Sequence, residues 1–158
     1  MAKVGRAARV ASRQRAEVLG NGSSAGTDKE IQAAETGELY MINHDHASAL
    51  TITLPPIADG AYFRFQLMAE LGAAGTIVIQ KHANDAAGTV KGTILEQKLE
   101  NSGVTSIAGT IKDDGNDSKL TIDDDTHVGS YVEVYCDGTN WQFSGVCIVD
   151  ALGQTAFS

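Results

Sequence analysis

Residues 129–149 read GSYVEVYCDGTNWQFSGVCIV, and this stretch decides the class of the fold. Two runs of alternating apolar and polar residues flank Asp137-Gly138-Thr139-Asn140, a tetrapeptide whose Asp, Gly and Asn are turn formers. With that tetrapeptide as a hairpin loop, Cys136 faces Trp141, Val134 faces Phe143 and Val132 faces Gly145. One face of the hairpin is then wholly apolar, with Trp141, Phe143 and Cys136 as core anchors. Cys147 lies on the same face but opposite Ser130, six residues along from Cys136, or about 20 Å at ~3.4 Å per residue. Disulfide geometry needs Cα atoms within about 7 Å, and a two-thiol zinc clasp also needs proximity, so this register excludes both. The thiols read as buried core residues, and Asp137 as the side chain that supports the turn.

Working outward, the same alternation recurs. Leu50, Ile52 and Leu54 alternate with threonines before Pro55-Pro56, and Phe63, Phe65 and Leu67 alternate with Tyr62, Arg64 and Gln66. Ile77 and Ile79 follow a glycine turn, and Val90 to Leu95, Val104 to Ile111 and Lys119 to Ile122 read as weaker strands. Leu39, Met41 and His44 are poorly phased. Eight to ten short strands, 17 glycines and 2 prolines predict an all-β fold, a β-sandwich of jelly-roll type or a barrel. No solenoid period is apparent. At 158 residues the chain suits one domain with a real core. Two cysteines carry no disulfide framework, and no apolar run reaches the ~18 residues of a membrane span, so a membrane is not expected as a partner.

Charge divides the chain. Lys3, Arg6, Arg9, Arg13 and Arg15 give the first sixteen residues +5 with no acid, leaving −13 for the rest of a chain of net −8. Residues 1–26 are expected to be a basic arm ending in the Gly/Ser linker GNGSSAG, and residues 27–158 the β-domain. Arg6, Arg9 and Arg13 share one helical face, but the apolar face opposite is too thin for a stable isolated helix. The arm suits docking on an acidic protein surface. It lacks the interleaved aromatics that stack on bases, which disfavours nucleic acid.

The closing hairpin GSYVEVYCDGTNWQFSGV resembles one found in small β-rich virion proteins of tailed bacteriophages. TITLPPIADGAYFRFQL (residues 51–67) is similar to the strand, proline turn and strand that open the same domains. With GTIVIQ these stretches cover about half of the body. Such hairpins occur in capsid decoration (cement) proteins, head fibres and tail fibres, and the short chain with its brief arm favours decoration. The resemblance implies a non-enzymatic protein without cofactor, made in the host cytoplasm and carried on the virion. It implies a homotrimer that binds the major capsid protein and stabilises the expanded head. Val4, Arg6, Arg9, Arg13 and Arg15 are then the docking candidates, with Arg64 a candidate at an interface. The alternative is a receptor- or glycan-binding module of a head or tail fibre, with Tyr40, Tyr62, Tyr131 and Tyr135 as the available aromatics.

Three other patterns invite chemistry. His44-Asp45-His46 offers ligand types that zinc accepts, and His44 and His46 would share a strand face, yet His82 and His127 have no spacing that predicts convergence. Asp113-Asp114-Gly115-Asn116-Asp117 and Asp123-Asp124-Asp125 are rich in calcium-type oxygens but lack the EF-hand spacing, and read as solvated turns. His44, His46, Asp113 and Asp117 are thus the weak metal candidates. Gly22-Ser23-Ser24-Ala25-Gly26 matches G-x-S-x-G without the strand-to-helix context that a nucleophile elbow needs. Catalysis is not expected.

Overall fold

The computed structural model describes residues 15–72, 74–98, 106–112 and 116–158. Twelve strands are present among them: β1 (Ala16–Gly22), β2 (Lys29–Glu30), β3 (Leu39–His44), β4 (Ala49–Thr53), β5 (Tyr62–Leu67) and β6 (Thr76–Gln80), then β7 (Val90–Lys98), β8 (Ser106–Lys112), β9 (Lys119–Ile122), β10 (Tyr131–Cys136), β11 (Trp141–Val149) and β12 (Thr155–Phe157). They form a seven-stranded sheet in the order β1-β3-β5-β10-β11-β7-β8 and a five-stranded sheet in the order β12-β9-β6-β4-β2. The protein is all-β, with one hydrophobic core drawn from both sheets.

Period-two patterning builds each layer. In β5, Phe63, Phe65 and Leu67 turn inward and are buried, while Tyr62, Arg64 and Gln66 are only half-buried. From the other sheet, Leu50, Ile52, Ile77, Ile79, Leu120 and Ile122 complete the core, each fully enclosed. Burying a side chain of this size contributes about 1.5–3 kcal/mol, so the two inner faces supply most of the drive for layering. Phe143 of one sheet meets Phe157 of the other edge-to-face, with ring centroids 5.9 Å apart.

The connectivity differs from the expected jelly roll. Five of the ten strand pairings are parallel, whereas a jelly roll is built from antiparallel strands. The first six strands alternate between the sheets, β1, β3 and β5 lying parallel in one and β2, β4 and β6 in the other. They form three stacked turns of a solenoid-like coil. Ala16 pairs with Leu39 and Lys29 with Ile52, so the first step is 23 residues on both sides, whereas the next steps lengthen, Leu39 pairing with Arg64 and Ile52 with Ile79. That uneven step hides the repeat from a fixed-period reading. The remaining strands close both sheets, mostly by antiparallel pairing.

The linker boundary also moves. Ala16–Gly22, expected to lie in the arm and linker, is a strand paired with β3, and Leu19 is only 5% exposed. A single inward leucine between Val18 and two glycines is too weak a pattern to announce a strand. Contact with β3 supplies what local propensity lacks.

Candidate functional site

The hairpin at 131–149 has the expected register, Cys136 opposite Trp141, Val134 opposite Phe143 and Val132 opposite Gly145. It lies inside the seven-stranded sheet, β10 against β5 and β11 against β7. Its inward residues Cys136, Trp141, Phe143 and Cys147 are all buried, and both cysteines are free thiols. The Trp141 indole packs near Phe63, centroids 6.0 Å apart. Burial, and then the charge of the neighbouring Glu96, pushes the Cys147 thiol up to about 12, so it is not a nucleophile at neutral pH. Asp137 does hold the turn. Its Oδ1 accepts from the backbone N–H groups of Thr139 (2.9 Å) and Asn140 (2.6 Å), and its Oδ2 from the Gln142 amide (2.9 Å). The Gln142 bond foremost, then the two N–H groups, draw its carboxyl down to about 2.

Of the docking candidates, Val4, Arg6, Arg9 and Arg13 lie outside the described residues, as does the metal candidate Asp113. Arg15 marks where the basic segment joins the body. Its carbonyl accepts from Leu39 N–H (2.8 Å), and its exposed guanidinium reaches Glu38 at 3.4 Å. Below it is a compact charge cluster that the sequence did not announce. Lys29 Nζ bridges Glu17 (2.9 Å) and Glu35 (2.8 Å) and stands 5.7 Å from the centre of the Tyr40 ring. Burial opposes the lysine's charge, but the bonds to Glu35 and Glu17 outweigh it and raise its pKa. Glu35 is lowered despite its burial, because Gln32 N–H and Lys29 both favour the carboxylate. Glu17, Glu35 and Glu38 converge closely enough to hold a metal ion, the one such group among the described residues. Lys29 and Arg15 already occupy those carboxylates, so the cluster works as an internal ion-pair network fastening the first two turns of the coil.

Among the described residues, the candidate histidines and aspartates are engaged within loops and do not converge on one another. His44 Nε2 bonds the Ser48 carbonyl at 2.7 Å, and His46 Nδ1 bonds the Ser48 hydroxyl at 2.8 Å, so both rings serve the β3–β4 loop. Asp124 accepts from Ala74 N–H, the Asp123 carbonyl accepts from the Thr126 hydroxyl, and buried Asp117 accepts through its carbonyl from Val90 N–H. Of these three bonds the first uses the Asp124 carboxylate, and the other two end on main-chain carbonyls. Ser24 of the G-x-S-x-G match lies in a turn whose N–H bonds the Asn21 carbonyl, and the chain then enters β2 without a helix.

Arg64 lies on the outward face of the seven-stranded sheet. Its guanidinium bonds Glu133 at 2.9 Å and stacks 4.5 Å over the Tyr131 ring, while the Tyr62 hydroxyl donates to the same Glu133 oxygen at 3.0 Å. Charge is thereby neutralised on this face. Of the four tyrosines, Tyr40 is buried, Tyr62 and Tyr131 are half-buried and Tyr135 is 46% exposed. At the five-stranded sheet, a polar cleft of about 440 Å³ is lined by Glu30, Thr53, Gln80, Lys81, His82 and Lys119, among others. Much of its polarity is turned inward. Gln80 bonds Thr53, and Lys81 bonds the carbonyls of His82 and Asp85. Among the described residues, no helix is long and apolar enough to cross a membrane. Comparison with family models, curated proteins and solved structures finds no match for this chain.

Proposed function

We propose that this chain is a phage capsid decoration protein that acts without catalysis, trimerising on the expanded head and docking through its basic N-terminal segment. The observation that carries the reading is the closing hairpin, whose DGTNW turn and aromatic strand bear the resemblance. Its turn is tied by Asp137, and its anchors are locked in the middle of the larger sheet. The charge layout supports the same reading. Residues 1–14 carry Lys3, Arg6, Arg9 and Arg13, and Arg15, which follows them, leads into the edge strand β1. A basic segment attached there is suited to an acidic partner surface. The mechanism is mechanical: each trimer bridges neighbouring capsomers, and weak contacts repeated over the lattice add through effective concentration.

The test uses expanded heads of the phage that encodes this chain, stripped of decoration. Full-length protein should co-sediment with them, and a version lacking residues 1–14 should not, while both melt at the same temperature. Equal binding by the two would remove the docking role from the segment. No binding by either would remove the capsid reading and turn attention to glycan binding by a fibre module.

A further inference from the structure

We infer that the outward face of the seven-stranded sheet is a self-association surface, on which a second copy of this chain packs. The inference goes beyond the proposed trimer: a face that meets its own copy pairs two chains about a two-fold axis, a contact separate from any three-fold one. Strand register brings Val18, Met41, Gln66, Tyr131, Val146 and Leu95 into a single row across six adjacent strands. The next row adds Ile148 beside Gln97 and Ile107. Val18, Leu95 and Ile107 are 57%, 45% and 69% exposed, whereas the opposite faces of β1 and β7 are already packed in the core through Leu19 and Ile94. A sheet that is apolar on both faces is normally covered on both.

The smaller sheet is different. Its outward positions carry Thr51, Thr53, Thr76 and Thr121 around one half-buried valine, Val78, and among the described residues every strand-borne large apolar side chain that is exposed belongs to the seven-stranded sheet.

Charge and size select the occupant. In the row beside the apolar one, Arg64 and Glu133 pair with each other, and Lys91 lies at the periphery of the face. The basic segment 1–14 would meet no vacant carboxylate at its centre, because Glu133 already serves Arg64 and Tyr62. A second copy brings a matching face whose central charges, Arg64 and Glu133, neutralise each other, letting two chains of net −8 meet away from their excess acids. Depletion of charge with Tyr and Met present is also the composition of interface centres. Seven strands at ~4.8 Å spacing and three outward rows give a patch of about 600 Å², so a pair would bury about 1,200 Å², the lower end of specific interfaces.

The experiment is sedimentation velocity over about 1–100 µM with full-length protein, Val18→Glu, Leu95→Glu and the control Thr51→Glu on the other sheet. The expected result is an oligomer for the full-length protein and the control, weakened at least tenfold in both Val18→Glu and Leu95→Glu with unchanged melting curves. A monomeric full-length protein overturns the inference, as does an oligomer that survives both sheet variants or is lost in Thr51→Glu alone. Two substitutions on separate strands guard against a local folding defect. An oligomer that passes this test but ignores capsids would sink the capsid reading and leave the surface standing.

Discussion

Asp137 and His127 are single side chains whose protonation reports on the fold, and they respond to opposite ends of the pH scale. The hydrogen bonds from Gln142, Asn140 and Thr139 hold the Asp137 carboxyl at about 2, below its ordinary 3.8. The stabilisation it gives is therefore complete above about pH 4 and lost as pH falls toward 2. Asp137→Ala should lower the melting temperature at pH 7 and flatten the acid limb of the stability curve between those values. His127 behaves inversely. Its Nε2 meets Asp150 at 2.9 Å and its Nδ1 meets Glu70 at 3.3 Å. The Asp150 bond chiefly, opposed by burial and reinforced by Glu70, raises its pKa above 6.5. Its contribution is fully present below about pH 6.5 and is lost as pH rises through the raised folded value. Thermal melts at pH 5.5 and pH 8.5 should differ more for the native protein than for His127→Ala. Asp137 was legible in the sequence, because a turn aspartate bonds locally. The partners of His127 were not, because Glu70 and Asp150 reach it from distant loops.

Among the elements, β12 and β1 depend most on groups remote in sequence. Glu96 is buried on β7 and accepts from Thr155 N–H (2.6 Å), the Thr155 hydroxyl (2.7 Å) and Gly153 N–H (2.6 Å), which fastens the C-terminal strand. Glu96→Ala would leave those donors unsatisfied and should cost about 3 kcal/mol in urea unfolding, with Glu96→Gln retaining part of the stability. No sequence pattern marks a glutamate among Ile94, Leu95 and Gln97 as a buried clasp. For β1, removing residues 1–14 should leave urea stability unchanged, whereas removing residues 1–26 should cost at least about 2 kcal/mol through loss of Leu19 alone. Equal stability of the two truncated forms would mean that β1 adds nothing to the body. By contrast, β5, β10 and β11 were legible to the residue, since their alternation is strong and a four-residue turn fixes the register of the last two. At Gly92 the backbone takes φ +136, and an added Cβ would collide with the Phe143 carbonyl oxygen, so the pairing of β7 alongside β11 requires glycine there.

At the scale of the whole molecule the chain is a neutral-faced, acidic sandwich joined at one edge to a basic segment. The proposed docking by that segment makes a prediction of its own. Four cations within 14 residues should bind an acidic capsid surface more weakly at about 0.5 M salt than at about 0.05 M, because the Debye length contracts to a few ångströms. Co-sedimentation that ignores salt would point to an apolar contact instead, with the outward sheet face as the first place to look. The sequence by itself determined the all-β class, most of the strands, the closing hairpin with its register and anchors, and the separation of charge. Each of these is written in contacts between near neighbours or in simple alternation, which a one-dimensional reading captures. Only the tertiary structure decided the mixed parallel order, the three-turn coil, the Lys29 and Glu96 clasps and the apolar row from Val18 to Leu95. Those features depend on which strands become neighbours, for most pairings across 23 residues or more, and for Lys29 on which two of several nearby acids the coil brings to it, and no local pattern encodes that choice.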